Sequence, residues 1–74
     1  MQSRPEPFEG LAGYMNKLNA RKLENRDQVE VRVAPATWVL GMVLGSWRED
    51  GGKIIVPVQT EGHGFIEVVH TDLR

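Results

Sequence analysis

Few side chains in this sequence could take part in catalysis. His63 and His70 are its two histidines, and a histidine acting as a general base needs an orienting partner and a substrate proton within reach. No residue pattern around either histidine supplies such a set. Ser3 and Ser46 lie outside any nucleophile-elbow pattern. We therefore expect a protein that is not an enzyme.

The sequence also lacks the usual residues of a metal or cofactor site. Cysteine is absent and only two histidines occur, so we expect no disulfide, no metal and no cofactor. The glycine-containing segments 50–52 and 62–64 are predicted to be turns. They are not phosphate-binding loops, because neither precedes a helix and no Lys-Ser or Lys-Thr pair follows.

The residues best suited to binding a partner are aromatic. Two tryptophans flank one apolar run, and a phenylalanine follows a turn that contains a histidine. Tryptophan is enriched at binding surfaces, although each tryptophan here is more simply explained as a plug at the end of a small barrel. We expect the binding surface at the loop end that carries Trp38, Trp47, His63, Phe65 and Glu67. Both histidines and Glu67 are otherwise interpreted as solvated surface residues.

The elements that would position these residues change type near residue 28. Before it, apolar residues recur at helical spacing and predict an amphipathic helix over residues 7–24, with the stripe Phe8, Leu11, Met15 and Leu18. After it, the pattern predicts strands over residues 28–34, 38–47, 53–58 and 65–70. Residues 71–74 fit a helical turn or a short closing strand. We divide the chain into a tail and helix (1–27) and a small β-barrel (28–74), forming one folding unit.

The second predicted strand is apolar on both faces. Leu40, Met42 and Leu44 lie on one face, while the valines and glycines between them lie on the other. One face can fill a barrel, and the other needs a cover, either the helix stripe or a partner subunit. Gly41 and Gly45 fit a barrel, because glycine permits a sharp bend or a close backbone approach.

Composition and charge narrow the class further. The chain has 74 residues, 41% of them hydrophobic, which suits one domain whose small core makes its stability marginal. A net charge of −1 makes nucleic acid a less favoured partner, and the basic residues 17–26 are explained by the helix dipole and solubility.

The longest apolar run is too short to cross a membrane, and the N-terminus has no signal-peptide pattern. We expect a cytoplasmic protein.

Residues 28–74 resemble a Src-homology-3-like barrel of the Tudor and Agenet kind. The resemblance rests on the alternating strand 29–32, on Trp38, Gly41, Val43, Gly52 and Ile55, on the run 64–69, and on Asp72-Leu73-Arg74. Tudor-like domains are binding modules that often hold methylated Lys or Arg in an aromatic cage. The resemblance implies that Trp38 and Phe65 would line such a cage, with Trp47 nearby in sequence.

A second resemblance is to the plasmid-encoded type II dihydrofolate reductases, which are short barrels active as tetramers with a shared pore. It rests on the spacing of Trp38, Gly41, Gly45 and Trp47 and on the run 64–69. That family has Val-Gln-Ile-Tyr in its pore, whereas residues 66–69 here read Ile-Glu-Val-Val. We do not expect this chain to reduce folate.

These observations predict a mainly β protein, a small Src-homology-3-like barrel of four to five strands with one N-terminal amphipathic helix. We expect a non-catalytic module that binds a protein or peptide, in an accessory protein of a bacterium or a mobile element. The alternative is a self-assembling oligomeric barrel, which binds nucleic acid or forms a shared-pore enzyme similar to type II dihydrofolate reductase.

Overall fold

The computed structural model describes residues 14–74, which form a small, mainly β domain, as the sequence predicts. Five antiparallel strands make up one open sheet, with one helical turn before it and a short 3₁₀ helix after it. The elements are α1 (Lys17–Ala20), β1 (Gln28–Ala34), β2 (Thr37–Val43), β3 (Arg48–Asp50), β4 (Lys53–Thr60), β5 (Gly64–Val69) and the 3₁₀ helix (His70–Asp72).

The sheet is built around β4. β5 pairs with one edge of β4 from Ile55 to Thr60, while β2 and β3 share the other edge at its two ends. β1 completes the order β1-β2-β4-β3 by pairing with β2. The predicted strand over residues 38–47 is too long: β2 ends at Val43, and a division of residues 44–47 separates it from β3. The division falls at Gly45, whose φ of 112° turns the chain and whose N–H donates to Asn25 Oδ1 at 2.9 Å.

Proline 57 lies inside β4 rather than at an edge or a strand end. Its ring leaves it without an N–H, and a strand that pairs on both sides normally excludes proline for that reason. Here its carbonyl accepts from Leu44 N–H at 3.0 Å, where β2 has ended and β3 has not begun. The side of Pro57 that has no N–H therefore faces the gap between β2 and β3, where neither strand is present to accept a hydrogen bond.

The predicted helix over residues 7–24 is wrong for the part that the structure describes. Within residues 14–24 only Lys17–Ala20 is helical. Asn16 is extended and caps the turn, because its Oδ1 accepts from Asn19 N–H at 2.8 Å. Met15 N–H donates to Leu73 O at 2.6 Å, so the chain before the turn runs beside the C-terminal residues. Residues 7–13 of the predicted helix lie outside the described residues.

The core consists of the inward-facing side chains of the sheet together with Ala20 and Leu73. Its buried apolar members are Ala20, Val29, Val31, Val43, Ile54, Val56, Val58, Val68 and Leu73. Leu73 bridges to Val31, and the backbones of Glu30 and Arg74 exchange hydrogen bonds of 2.8 and 3.0 Å. The last residues of the chain are therefore held against β1, after the 3₁₀ helix.

His70 is a buried part of the fold, so its interpretation as a solvated surface residue is wrong. Its side chain is 7% exposed, and its Nδ1 accepts from the N–H of the buried Ile54 at 3.2 Å. Ile54 lies near the start of β4, and its N–H points toward the 3₁₀ helix. An imidazole there satisfies a buried backbone donor that would otherwise lack an acceptor.

Candidate binding surface

One row of four side chains crosses four strands on the outer side of the sheet. Met42 lies opposite Gln28 in β1 and opposite Gln59 in β4, and Gln59 lies opposite Phe65 in β5. Residues directly opposite each other in an antiparallel sheet project from the same face. This face is opposite the core, since Val43 and Val58 are the buried neighbours of Met42 and Gln59 along their strands.

The centre of this surface is apolar. We call it the outer face and define it by Leu40, Met42, Leu44 and Phe65, which are 51%, 39%, 39% and 55% exposed. Counting about 200 Å² for a fully exposed large side chain, they present roughly 350 Å² of apolar surface. A patch of about 300–600 Å² is the largest that a typical monomer carries, and such patches are often functional.

A groove runs along the outer face. It has a volume of about 290 Å³, and its walls come from β1, β2 and β4 and from the turn after β4. Leu40, Met42 and Leu44 supply its apolar lining, while Gln28 and Gln59 supply amides. A second depression of about 220 Å³ shares Gln28 and Leu40 with it. The combination of apolar lining and a few amides is typical of surfaces that bind other molecules.

The described part of the predicted helix stripe does not cover this face. Met15 packs against the core, together with Leu23. Leu18 is 61% exposed. Phe8 and Leu11 lie outside the described residues. Within residues 14–74, the outer apolar side of the second predicted strand is therefore a solvent-facing surface.

Trp38 lies toward the other end of β2, about 13 Å from Met42 along the strand. Its ring is covered by the Arg74 guanidinium, 4.1 Å from the ring centroid, with the Arg32 guanidinium at 5.8 Å. Both arginines are held in ion pairs, Arg74 with Glu30 and Arg32 with Asp72, each at 2.8 Å. A cation of the chain itself therefore occupies the place where an aromatic cage would hold a methylated residue.

The other expected site residues lie in separate surroundings. Trp47 is half-buried and packs against the core. His63 is exposed in the turn between β4 and β5. Phe65 and Glu67 are two residues apart in β5 and both lie on its outer side. The structure thus brings Phe65 and Glu67 to one surface and does not gather all five residues at one loop end.

Glu67 is paired rather than free. Its carboxylate accepts two hydrogen bonds from the Arg48 guanidinium, at 2.7 and 3.1 Å. These hydrogen bonds, with the attraction between the charges, hold the pKa of Glu67 below its usual range and raise the pKa of Arg48. The pair spans β3 and β5 beside Pro57 and forms one polar border of the outer face.

Four residues of the outer face and its groove were not expected at a site from the sequence: Leu40, Met42, Leu44 and Gln59. A signal for three of them was present, since the second strand is apolar at both alternating sets of positions. Gln59 gives no such signal, because its place beside Met42 depends on the register between β2 and β4.

Several arginines are paired with carboxylates. Arg21 lies 3.6 Å from Glu49, and Arg32, Arg48 and Arg74 have the carboxylate partners already described. Within residues 14–74, no group of three or more His, Asp or Glu side chains is placed to hold a metal ion. None of the helices in the same range has the length and apolar character needed to span a membrane.

Comparison of the chain with protein-family models, with curated proteins and with solved structures finds no match. Its function is therefore inferred from the geometry of its surfaces.

Proposed function

We propose that this protein is a non-catalytic interaction module that binds a protein or peptide through the outer face. The observation that carries the proposal is the exposure of Leu40, Met42, Leu44 and Phe65 on one surface, where the first three line a groove of about 290 Å³. Burying these side chains against a partner would gain about 25 cal/mol for each Å² of apolar surface removed from water. The amides of Gln28 and Gln59 would orient that partner by hydrogen bonds.

We also propose that the fold is a small Src-homology-3-like barrel. The order of elements supports this proposal: antiparallel strands joined by tight turns, a 3₁₀ helix, and then a return to β1 through Leu73 and Arg74. In this interpretation the groove lies on the outside of the barrel wall. The proposed binding surface therefore differs from the loop end expected from the positions of the aromatic residues.

The proposal is tested by selecting peptides on the whole chain and mapping where they bind. A displayed random-peptide library is selected on the wild type alone, and the selected peptides are then measured against Met42→Asp. Because Met42 is partly exposed, we expect the variant to fold and to keep the dispersed amide spectrum of the wild type. Selected peptides should shift the amide resonances of Leu40, Met42, Leu44 and Phe65, and Met42→Asp should abolish their binding.

Lys53→Asp is the matched control, since it places the same carboxylate at an exposed strand residue that is not among those lining the groove. It should bind the selected peptides as the wild type does. Peptides that bind Met42→Asp and the wild type equally, or a failure to select any peptide, would contradict the proposal.

A second candidate is self-assembly through the same face. It is favoured by the pairing of the nearby charges, Arg48 with Glu67 and Arg74 with Glu30, because two copies could then meet without repulsion. A stable interface buries about 800 Å² per partner, so the apolar patch would form its centre and the polar border its rim. Light scattering across a concentration series would give a dimer or tetramer mass that Met42→Asp reduces to a monomer.

Three further expectations stay predictions. The ion pairs of Arg21, Arg32 and Arg48 weigh against nucleic-acid binding, which would instead show a strong dependence on salt. A shared-pore enzyme would require an oligomer before it had a pocket large enough for a substrate. A cytoplasmic location is supported by the absence of cysteine alone.

A further inference from the structure

One edge of β5 is an unpaired strand edge. β5 pairs with β4 along Gly64–Val69, and within residues 14–74 no strand pairs with its other edge. Unpaired strand edges carry rows of N–H and C=O groups that can accept another strand. The outer face is a surface of side chains, whereas this edge is a row of backbone groups, so the two present different chemistry.

The pairing pattern identifies which backbone groups are free. Leu44 N–H donates to Pro57 O, so the backbone of Pro57 faces β2. Glu67 lies directly opposite Pro57, and this pair is therefore of the kind that exchanges no hydrogen bonds. The N–H and C=O of Glu67 consequently point away from β4. By the alternation of the ladder, the N–H and C=O of Phe65 and the N–H of Val69 point the same way, while the carbonyl of Val69 accepts the first hydrogen bond of the 3₁₀ helix.

A groove of about 440 Å³ lies beside this edge. Its opposite wall comes from β1 and from Asp72, whose carboxylate pairs with Arg32. Val33 and Ile66, which pack against the core and are only partly buried, line it with apolar surface. Its volume falls within the range of about 300–1,000 Å³ that ligand sites in proteins occupy.

We propose that this groove binds one extended peptide strand, which adds to β5 and so extends the sheet on that side. Phe65 and Glu67 each offer a donor and an acceptor at this edge, Val69 adds a donor two residues further on, and an extended polypeptide backbone matches that spacing. The apolar lining favours a small branched residue at every second position of the peptide. The Arg32–Asp72 pair leaves no net charge from these two residues on the opposite wall, so the bound segment is expected to be uncharged. The proposal does not depend on the outer face.

The test is a nuclear magnetic resonance titration of the whole chain with a blocked hexapeptide of alternating valine and threonine, with a lysine at each end for solubility. We expect downfield shifts and slowed hydrogen exchange of the amides of Phe65, Glu67 and Val69. The matched control peptide carries N-methyl groups on its two valines, which removes donors and keeps the side chains. It should bind at least five-fold more weakly, since each lost hydrogen bond is worth about a factor of five.

A protein variant tests the same edge from the other side. Val69 has a φ of −75°, which a proline adopts without strain, and its N–H faces the groove rather than β4. Val69→Pro should therefore keep the fold and weaken the peptide about five-fold. Val69→Ala is the matched control, because it trims the side chain and keeps the N–H, and it should bind within two-fold of the wild type.

Three results would overturn the proposal. The N-methylated peptide could bind as tightly as the unmethylated one, and Val69→Pro could bind the peptide as tightly as Val69→Ala does. Together these results would show that backbone pairing is not used. The peptide could shift the outer-face amides and leave those of Glu67 and Val69 unchanged. The β5 amides could instead shift with protein concentration in the absence of peptide, which would assign the edge to a second copy of the chain.

Discussion

Replacement of Gly41 by alanine should destabilise the protein by a predictable amount. A Cβ built at Gly41 would lie 2.5 Å from Val58 Cγ1 and 3.3 Å from both Gln59 O and Val31 Cγ2. Carbon atoms in contact prefer separations of about 3.5–4.0 Å, so the new methyl group overlaps the valine by about 1 Å. Val58 is fully buried and cannot move aside without displacing its neighbours.

Overpacking of this kind costs about 1–3 kcal/mol. Replacing glycine by alanine also reduces the conformational entropy of the unfolded chain, and this effect raises the free energy of unfolding by about 0.4–1 kcal/mol. The net loss in the free energy of unfolding is then about 1–2 kcal/mol. For a domain of this size it lowers Tm by about 4–8 °C for each kcal/mol. Thermal melts of the wild type and Gly41→Ala, followed by circular dichroism, measure this difference.

A double-mutant cycle separates the clash from other effects of the substitution. Val58→Ala removes the methyl group that the new Cβ would meet, so its combination with Gly41→Ala should be more stable than the sum of the two single changes predicts. The coupling between the two sites should reach about 1 kcal/mol or more, as is usual for residues in contact. A Tm unchanged in Gly41→Ala, or additive effects in the double variant, would refute the close packing of β2 on β4.

Two further changes test other parts of the structure. His70→Phe should lower the free energy of unfolding by about 1–3 kcal/mol, because it leaves the buried Ile54 N–H without an acceptor. In urea titrations, His70→Gln should recover part of this loss, and a phenylalanine variant as stable as the wild type would contradict the role of Nδ1. The lowered pKa of Glu67 predicts that its pair with Arg48 stabilises the fold above about pH 4.3, the ordinary glutamate value, and that this is lost as the pH falls through the lowered pKa. The Tm difference between wild type and Glu67→Gln should accordingly be small at pH 7 and vanish once the pH lies below the lowered pKa of Glu67, and a difference that persists in stronger acid would be inconsistent with the ion pair.

Much of the β structure could be predicted from local patterns. The alternation of valine with charged residues predicted β1 with its observed bounds, 28–34. The glycines of the turns also behave as expected: Gly51, Gly52, Gly62 and Gly64 all have positive φ. These features depend on neighbouring residues in the chain, so the sequence carries them directly.

The helix prediction failed for a physical reason that periodicity does not contain. Met15 has helical spacing from Leu18, yet its N–H donates to Leu73 O, a residue more than fifty positions away. Asn16 begins the helical turn by capping its N-terminus, so the helix does not extend back through Met15. A tertiary contact and a cap therefore outweighed the apolar pattern in residues 14–24.

Local sequence patterns are enough to establish the faces of the predicted strands, the glycine turns and the surplus of apolar residues in β2. Those properties follow from the alternation of side chains along a strand and from the backbone freedom of glycine. Strand pairing, in contrast, establishes what that surplus faces, how Pro57 is accommodated inside a sheet and which backbone groups of β5 point away from β4. Each depends on the register between strands distant in sequence, and a shift of one residue would turn every side chain to the opposite face.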